Sequence, residues 1–291
     1  MTIVITGASG KLGRRVAETL LADHGVAPAD LVLVTRSPDK LADRAAQGGQ
    51  VRHGDFDDPA SLPSAFAGAE KVLIVSTDNV GTRVQGHKAA IDAAVEAGAP
   101  SIAYTSGINP SDSNPIGVMW EHRQTEDHLR AVAPGWTILR NSIYAEILLG
   151  GAEAALATGS HVTNEGDGRV AYVSRDDCAA AAAALLATDG HEHKIYDVTG
   201  PASLSAADVA ALYAELGGRP VEVVQVDDDA YAAGLVEHAG LPRPVAELYA
   251  TFGTGARLGY GAPISDTVLR FTGRPPKPAH DVLAANIGVL N

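Results

Sequence analysis

Gly7-Ala8-Ser9-Gly10-Lys11-Leu12-Gly13 places three glycines at G-x-x-G-x-x-G spacing, between the apolar run Ile3-Val4-Ile5 and a helix-like stretch from Arg14 to Leu21. Such a loop turns sharply and aims the free N–H groups of a helix N-terminus at a pyrophosphate. Glycine is required wherever a Cβ would stand between backbone and ligand. With 31 glycines in 291 residues chance spacings are common, so the weight rests on the strand–loop–helix placement. The motif predicts a dinucleotide site built from Thr6, Gly7, Ser9, Gly10, Lys11, Leu12 and Gly13.

The next strand, Leu31 to Val34, runs into Thr35-Arg36-Ser37, where a dinucleotide site specific for NAD carries a carboxylate for the ribose 2′-hydroxyl. Arg36 offers instead a planar fork for a 2′-phosphate, with Ser37 and Lys40 adding a hydroxyl and a second charge. NADP is thereby favoured over NAD; the plainer alternative is that Arg36 and Lys40 decorate a solvated helix start. Asp55 and Phe56 are placed to flank an adenine, although Asp57 and Asp58 equally read as helix caps. Ser76 and Thr77, Thr105 and Ser106, and Asn141 with Tyr144 each follow a strand, where open α/β sheets bind ligands, and are the candidates for the nicotinamide end. Each can also simply cap a helix or fill a turn, and Tyr144 can pack rather than stack on a flat ligand.

These residues need a scaffold. Strands are predicted near 2–6, 31–35, 72–76, 101–105 and 136–140, with a weaker one at 51–53, and alanine-rich segments lie between them. That alternation predicts a Rossmann-type doubly wound parallel sheet with helices on both faces. Residues 82–98 form a helix with Val84, Ile91 and Val95 on one face, closed by Gly98 and Pro100. Beyond residue 150 we expect a helix over 143–157, a turn at Gly166-Asp167-Gly168, strands at 170–173, 194–199 and 221–226, and a helix beginning near Asp177. The reading is a dinucleotide-binding domain over 1–150 and a smaller α/β substrate lobe over 151–291, with the 194–199 strand free to return to the first sheet.

The formal net charge of −13 opposes a nucleic-acid surface, which needs clustered Lys and Arg to replace counterions. The single cysteine, Cys178, excludes an intramolecular disulfide and fits a reducing, cytoplasmic setting. No basic-then-apolar leader precedes Ile3 and no apolar run reaches membrane-spanning length. No metal site is expected: His191, Glu192 and His193 are neighbours in a loop and do not converge. Asp227-Asp228-Asp229 reads as the cap of the following helix.

The run Val4 to Gly13, then Ile102-Ala103-Tyr104-Thr105-Ser106, Glu121-His122 with Thr125-Glu126, Leu139-Arg140-Asn141 with Tyr144, and Gly166-Asp167-Gly168 resemble the NmrA-like atypical short-chain dehydrogenases. Within them the likeness is greatest to the type 2 NAD(P)H:quinone oxidoreductases. The resemblance implies a Rossmann domain with a small substrate lobe, NADPH as hydride donor and a small-molecule quinone or related aromatic acceptor. The same fold also serves redox sensors that bind the cofactor without turnover, and tailoring reductases of aromatic metabolites. A homodimer is allowed.

Reductases of the wider superfamily pair a tyrosine with a lysine four residues on; here Ile108 stands at that distance from Tyr104. In the isoflavone-reductase-like branch a lysine of the next helix moves the proton, and His122 aligns close to it. His122 is expected as a proton or hydrogen-bond donor, or as a support for the helix, with Asn141 and Tyr144 as positioning groups. A quinone lessens the demand for a strong acid, because its reduction gains aromaticity and leaves a weakly basic, phenolate-like oxygen. Positioning can then suffice.

Overall fold

The computed structural model describes residues 1–286. The chain opens with β1 (Ile3–Ile5), α1 (Lys11–Asp23), β2 (Leu31–Thr35), α2 (Ala42–Ala46), β3 (Gln50–His53) and α3 (Leu62–Phe66). It continues through β4 (Lys71–Ile74), α4 (Arg83–Glu96), β5 (Ser101–Gly107), α5 (Gly117–Val132) and β6 (Trp136–Asn141). Next come α6 (Leu148–Thr158), β7 (Ser160–Thr163), β8 (Arg169–Val170), α7 (Arg175–Ala187) and β9 (Lys194–Val198). The described part closes with β10 (Leu204–Ser205), α8 (Ala206–Gly217), β11 (Glu222–Gln225), α9 (Asp228–Ala239), α10 (Arg243–Arg257), α11 (Thr267–Thr272) and α12 (Ala279–Ala284).

Seven strands pair in parallel in the order β3-β2-β1-β4-β5-β6-β9. β1 and β2 are buried along their whole length, as a sheet covered on both faces demands. Strand order reverses between β1 and β4, so the crevice beyond their C-terminal ends receives the glycine loop from one side and residues 75–82 from the other. α7 lies against α1, and its alanines let two helices and the sheet approach closely; Cys178 is sealed within that layer. A second apolar core, around Leu148, Val170, Val209 and Tyr213, belongs to the later elements, where β11 pairs with β7 and β10 with β8. No described helix is long and apolar enough to cross a membrane.

Two expected elements differ. The 170–173 strand pairs as a strand only over Arg169–Val170, because Val173 turns its backbone to Ile143 and Ala145. That same bonding delays the 143–157 helix, which starts as a 3-10 turn at Ala145–Ile147 and becomes α-helical at Leu148. The helix expected near Asp177 is α7, which begins at Arg175, where the Ser174 hydroxyl accepts the Asp177 N–H as an N-cap. Residues 287–291 of the expected 151–291 lobe lie outside the described residues.

Candidate active site

The glycine loop is held from three sides. The Thr6 hydroxyl donates to the Leu73 carbonyl at 3.1 Å and accepts the Val75 N–H at 2.9 Å, tying β1 to the end of β4. Gly7 turns at φ +59°, and the Gly10 N–H bonds back to its carbonyl at 2.8 Å. A Cβ on Gly13 would stand 2.5 Å from that same Gly7 carbonyl oxygen. Only glycine lets α1 start so close to the loop. Gly10 caps α1 without a side-chain hydrogen bond and no acidic residue occupies the first turn, so the N–H groups of Lys11, Leu12 and Gly13 have no helical partner. This is the geometry an anion needs at a helix N-terminus.

At the end of β2 the Ser9 and Thr35 hydroxyls meet at 2.7 Å, and Thr35 also accepts the Ser37 N–H. Arg36 and Lys40 are exposed, and neither side chain pairs with a carboxylate among the described residues. Arg14 reaches the same loop, donating to the Lys40 carbonyl at 2.9 Å, a basic neighbour that motif reading passed over. Its signal was its place one turn into α1, on the side of the loop. Asp55 spends one carboxylate oxygen on the Asp57 N–H, closing a turn, and Phe56 stands edge-on to His87 with ring centroids 6.1 Å apart.

Across the crevice the Ser76 N–H donates to the Thr105 hydroxyl at 2.9 Å and the Thr77 N–H to His87 Nε2 at 3.0 Å. Residues 77–83 are fastened by Arg83, which donates to the Thr77 and Val118 carbonyls and pairs with buried Glu121 at 2.8 Å. Ser106 departs from expectation. Side chains alternate along a strand, so Ser106 shares the α5 face with Tyr104 and gives its proton to fully buried Glu126, which Arg130 and Arg140 also hold. Its hydroxyl is committed to that network. Asn141 Oδ1 and Ser142 Oγ, at the end of β6, are buried without a hydrogen-bond partner among the described residues, and Ser142 was not singled out from the sequence. Such orphaned polar atoms are rare and mark places a ligand can satisfy.

Tyr144 and His122 also need correction. The Arg175 guanidinium covers a face of the Tyr144 ring at 5.1 Å, and burial pushes the phenol's pKa up, so that face is not free to stack on a flat acceptor. His122 is buried, and desolvation with the nearby Arg83 charge holds its imidazole well below the ordinary histidine pKa. A ring kept neutral does not act as an imidazolium acid near neutral pH. Its Nδ1 meets the Tyr104 hydroxyl at 2.8 Å, so its capacity is that of a neutral hydrogen-bonding group. Beside this end of the sheet, Asn109, Arg140, Leu258 and Tyr260 line a cavity of 390 Å³. Among the described residues no group of His, Cys, Asp and Glu could hold a metal, and His191 instead bonds Thr188 and Tyr196.

Residues 7–189 match the family model described as NAD(P)H-binding. Quinone oxidoreductase 2 of Escherichia coli is 38% identical over 273 residues, covering 94% of each chain. An NAD(P)H azoreductase of Xenophilus azovorans is 31% identical over 279 residues, again covering 94% of each chain. The NADPH complex of the Escherichia coli NADPH-dependent quinone oxidoreductase superposes with a TM-score of 0.93 at 36% identity, covering 98% of this chain and 99% of that one.

Proposed function

The chain belongs to the NAD(P)H-binding family, and from that footing we propose that it is an NADPH-dependent reductase passing hydride directly to a quinone, without flavin. What carries the reading is likeness over almost the whole chain, crevice and later elements alike, to a protein named for quinone oxidation and reduction. NADPH, when bound, supplies a hydride from its nicotinamide ring. The chain's part is to hold and orient. The free N–H groups at the start of α1 would hold the pyrophosphate, and Arg36, Lys40 and Arg14 would hold the 2′-phosphate. Asp55 and Phe56 would flank the adenine, and Ser76, Thr77 and Thr105 would line the nicotinamide end. Asn141 and Ser142 offer their unpartnered oxygens to the ligand at the end of β6. The cavity beside Arg140 falls in the size range of small-molecule sites and has room for a one- or two-ring quinone. No lysine supports Tyr104, in keeping with an acceptor whose reduced oxygen needs little acid assistance.

The test is quinone-dependent oxidation of NADPH by purified, flavin-free protein. Turnover with simple benzoquinones or naphthoquinones is expected, faster with NADPH than with NADH. Tight NADPH binding with no turnover across the quinone panel would overturn the reading and leave a cofactor-binding sensor in its place.

A further inference from the structure

A chain of hydrogen bonds under α5 has its direction fixed by its donors and acceptors. The Thr77 N–H, which can only donate, reaches His87 Nε2 at 3.0 Å. Burial and the adjacent Arg83 keep His87 uncharged, its pKa pushed down to about 3, so its one proton sits on Nδ1. That Nδ1–H faces the Thr125 hydroxyl at 3.3 Å and the Tyr104 hydroxyl at 3.4 Å. Thr125 has already given its proton to the Glu121 carbonyl, so it accepts. Tyr104, accepting from His87, keeps one proton; Thr125 stands beside it, and its shortest contact is His122 Nδ1 at 2.8 Å. Given to that shortest contact, the Tyr104 proton points at Nδ1, and neutral His122 carries its own proton on Nε2. Nε2 has no hydrogen-bond partner among the described residues. Its ring neighbour Cδ2 lies 3.2 Å from where a Cβ on Gly107 would stand, at the C-terminal end of β5.

We propose that Tyr104 and His87 are positioning residues that lock His122 in the Nε2–H tautomer, so that a neutral imidazole presents a fixed hydrogen-bond donor to the acceptor's oxygen. The inference rests on the reductase reading of the same crevice. As hydride arrives, that oxygen gathers negative charge, and a donor already aimed at it needs no reorganisation. A neutral imidazole serves as such an electrophile without a net proton transfer. Gly107 leaves the ring room: a Cβ there would lie 2.5 Å from the Met119 sulfur, which shares α5 with His122.

The tautomer is read directly by nitrogen NMR of protein carrying ¹⁵N-labelled histidine, the His122 signals being assigned by their loss in His122→Gln. A protonated, pyrrole-type Nε2 and a pyridine-type Nδ1 are expected in the native protein, with and without NADPH, and a mixture of tautomers in Tyr104→Phe. Kinetically, Tyr104→Phe should lower kcat about tenfold, the worth of one oriented hydrogen bond, while NADPH affinity holds. In the His122→Gln background, whose amide has no ring tautomer, the same change should alter kcat by less than about twofold. Proton on Nδ1 in the native protein, or equal slowing in both backgrounds, would overturn the proposal. Protein that shows the Nε2–H ring yet reduces no quinone would refute the reductase reading and leave the lock standing.

Discussion

At the scale of single residues, cofactor choice is assigned to Arg36 and loop closure to Gly13. Arg36→Asp replaces an exposed guanidinium with a charge that repels a 2′-phosphate. NADPH affinity should fall by about ten- to a hundredfold, the worth of a charge-assisted hydrogen bond, with NADH affected far less. Titration of both cofactors checks it, and an unchanged ratio would remove Arg36 from the site. Gly13→Ala puts a Cβ 2.5 Å from the Gly7 carbonyl oxygen, so α1 must back away from its loop. A loss of about 1–3 kcal/mol in unfolding free energy and a weakened NADPH complex are expected, by urea titration and by binding. Gly13's close approach to Gly7 was legible in the sequence because the missing Cβ is written in the residue type, and the assignment of Arg36 likewise starts from its type. Arg14 and Ser142 were not: what marks them is whom they touch or fail to touch, and one-dimensional spacing does not record that.

At the scale of elements, α5 is bonded to the sheet through buried charge and neutral imidazole. Glu126 is fully buried and accepts from Ser106, Arg130 and Arg140. Glu126→Ala leaves those donors without their acceptor and should cost about 3–5 kcal/mol, read as a lowered urea midpoint at unchanged slope. His87 adds a pH dependence of definite sign. Its folded pKa, about 3, lies below the unfolded value near 6.5, so the unfolded chain binds the proton first as pH falls. The contribution is whole above pH 6.5 and is lost on acidification toward about 3, at up to about 1.4 kcal/mol per pH unit. His87→Gln should flatten that limb of the stability profile, and an unchanged slope would contradict it. The sequence held a sign of this: Val84, His87 and Ile91 share one helical face, and that face is buried. Ser106 shows the opposite lapse, since strand alternation alone would have set it on the face away from Thr105.

At the scale of the whole molecule, the alternation of short β-branched runs with alanine-rich helices was enough to read the parallel sheet, because both of its faces must be covered by helices. Later elements were harder to read, since their backbone partners are remote: Val173 bonds to Ile143 and Ala145, and Ala171 to Gly261. Local periodicity carries no trace of such pairings. The fold then brings a cofactor loop, an orphaned pair of oxygens at β6 and a neutral, tethered imidazole to one end of the sheet, which suits hydride transfer to an acceptor that needs orientation more than acid. The decisive measurement is a single-turnover reaction of flavin-free protein with NADPH deuterated at one or the other face of the nicotinamide C4, mixed rapidly with a benzoquinone. Slowing by one deuterated form alone is the predicted result. Equal rates for both forms, or no quinone-dependent oxidation, would contradict direct hydride transfer in this crevice.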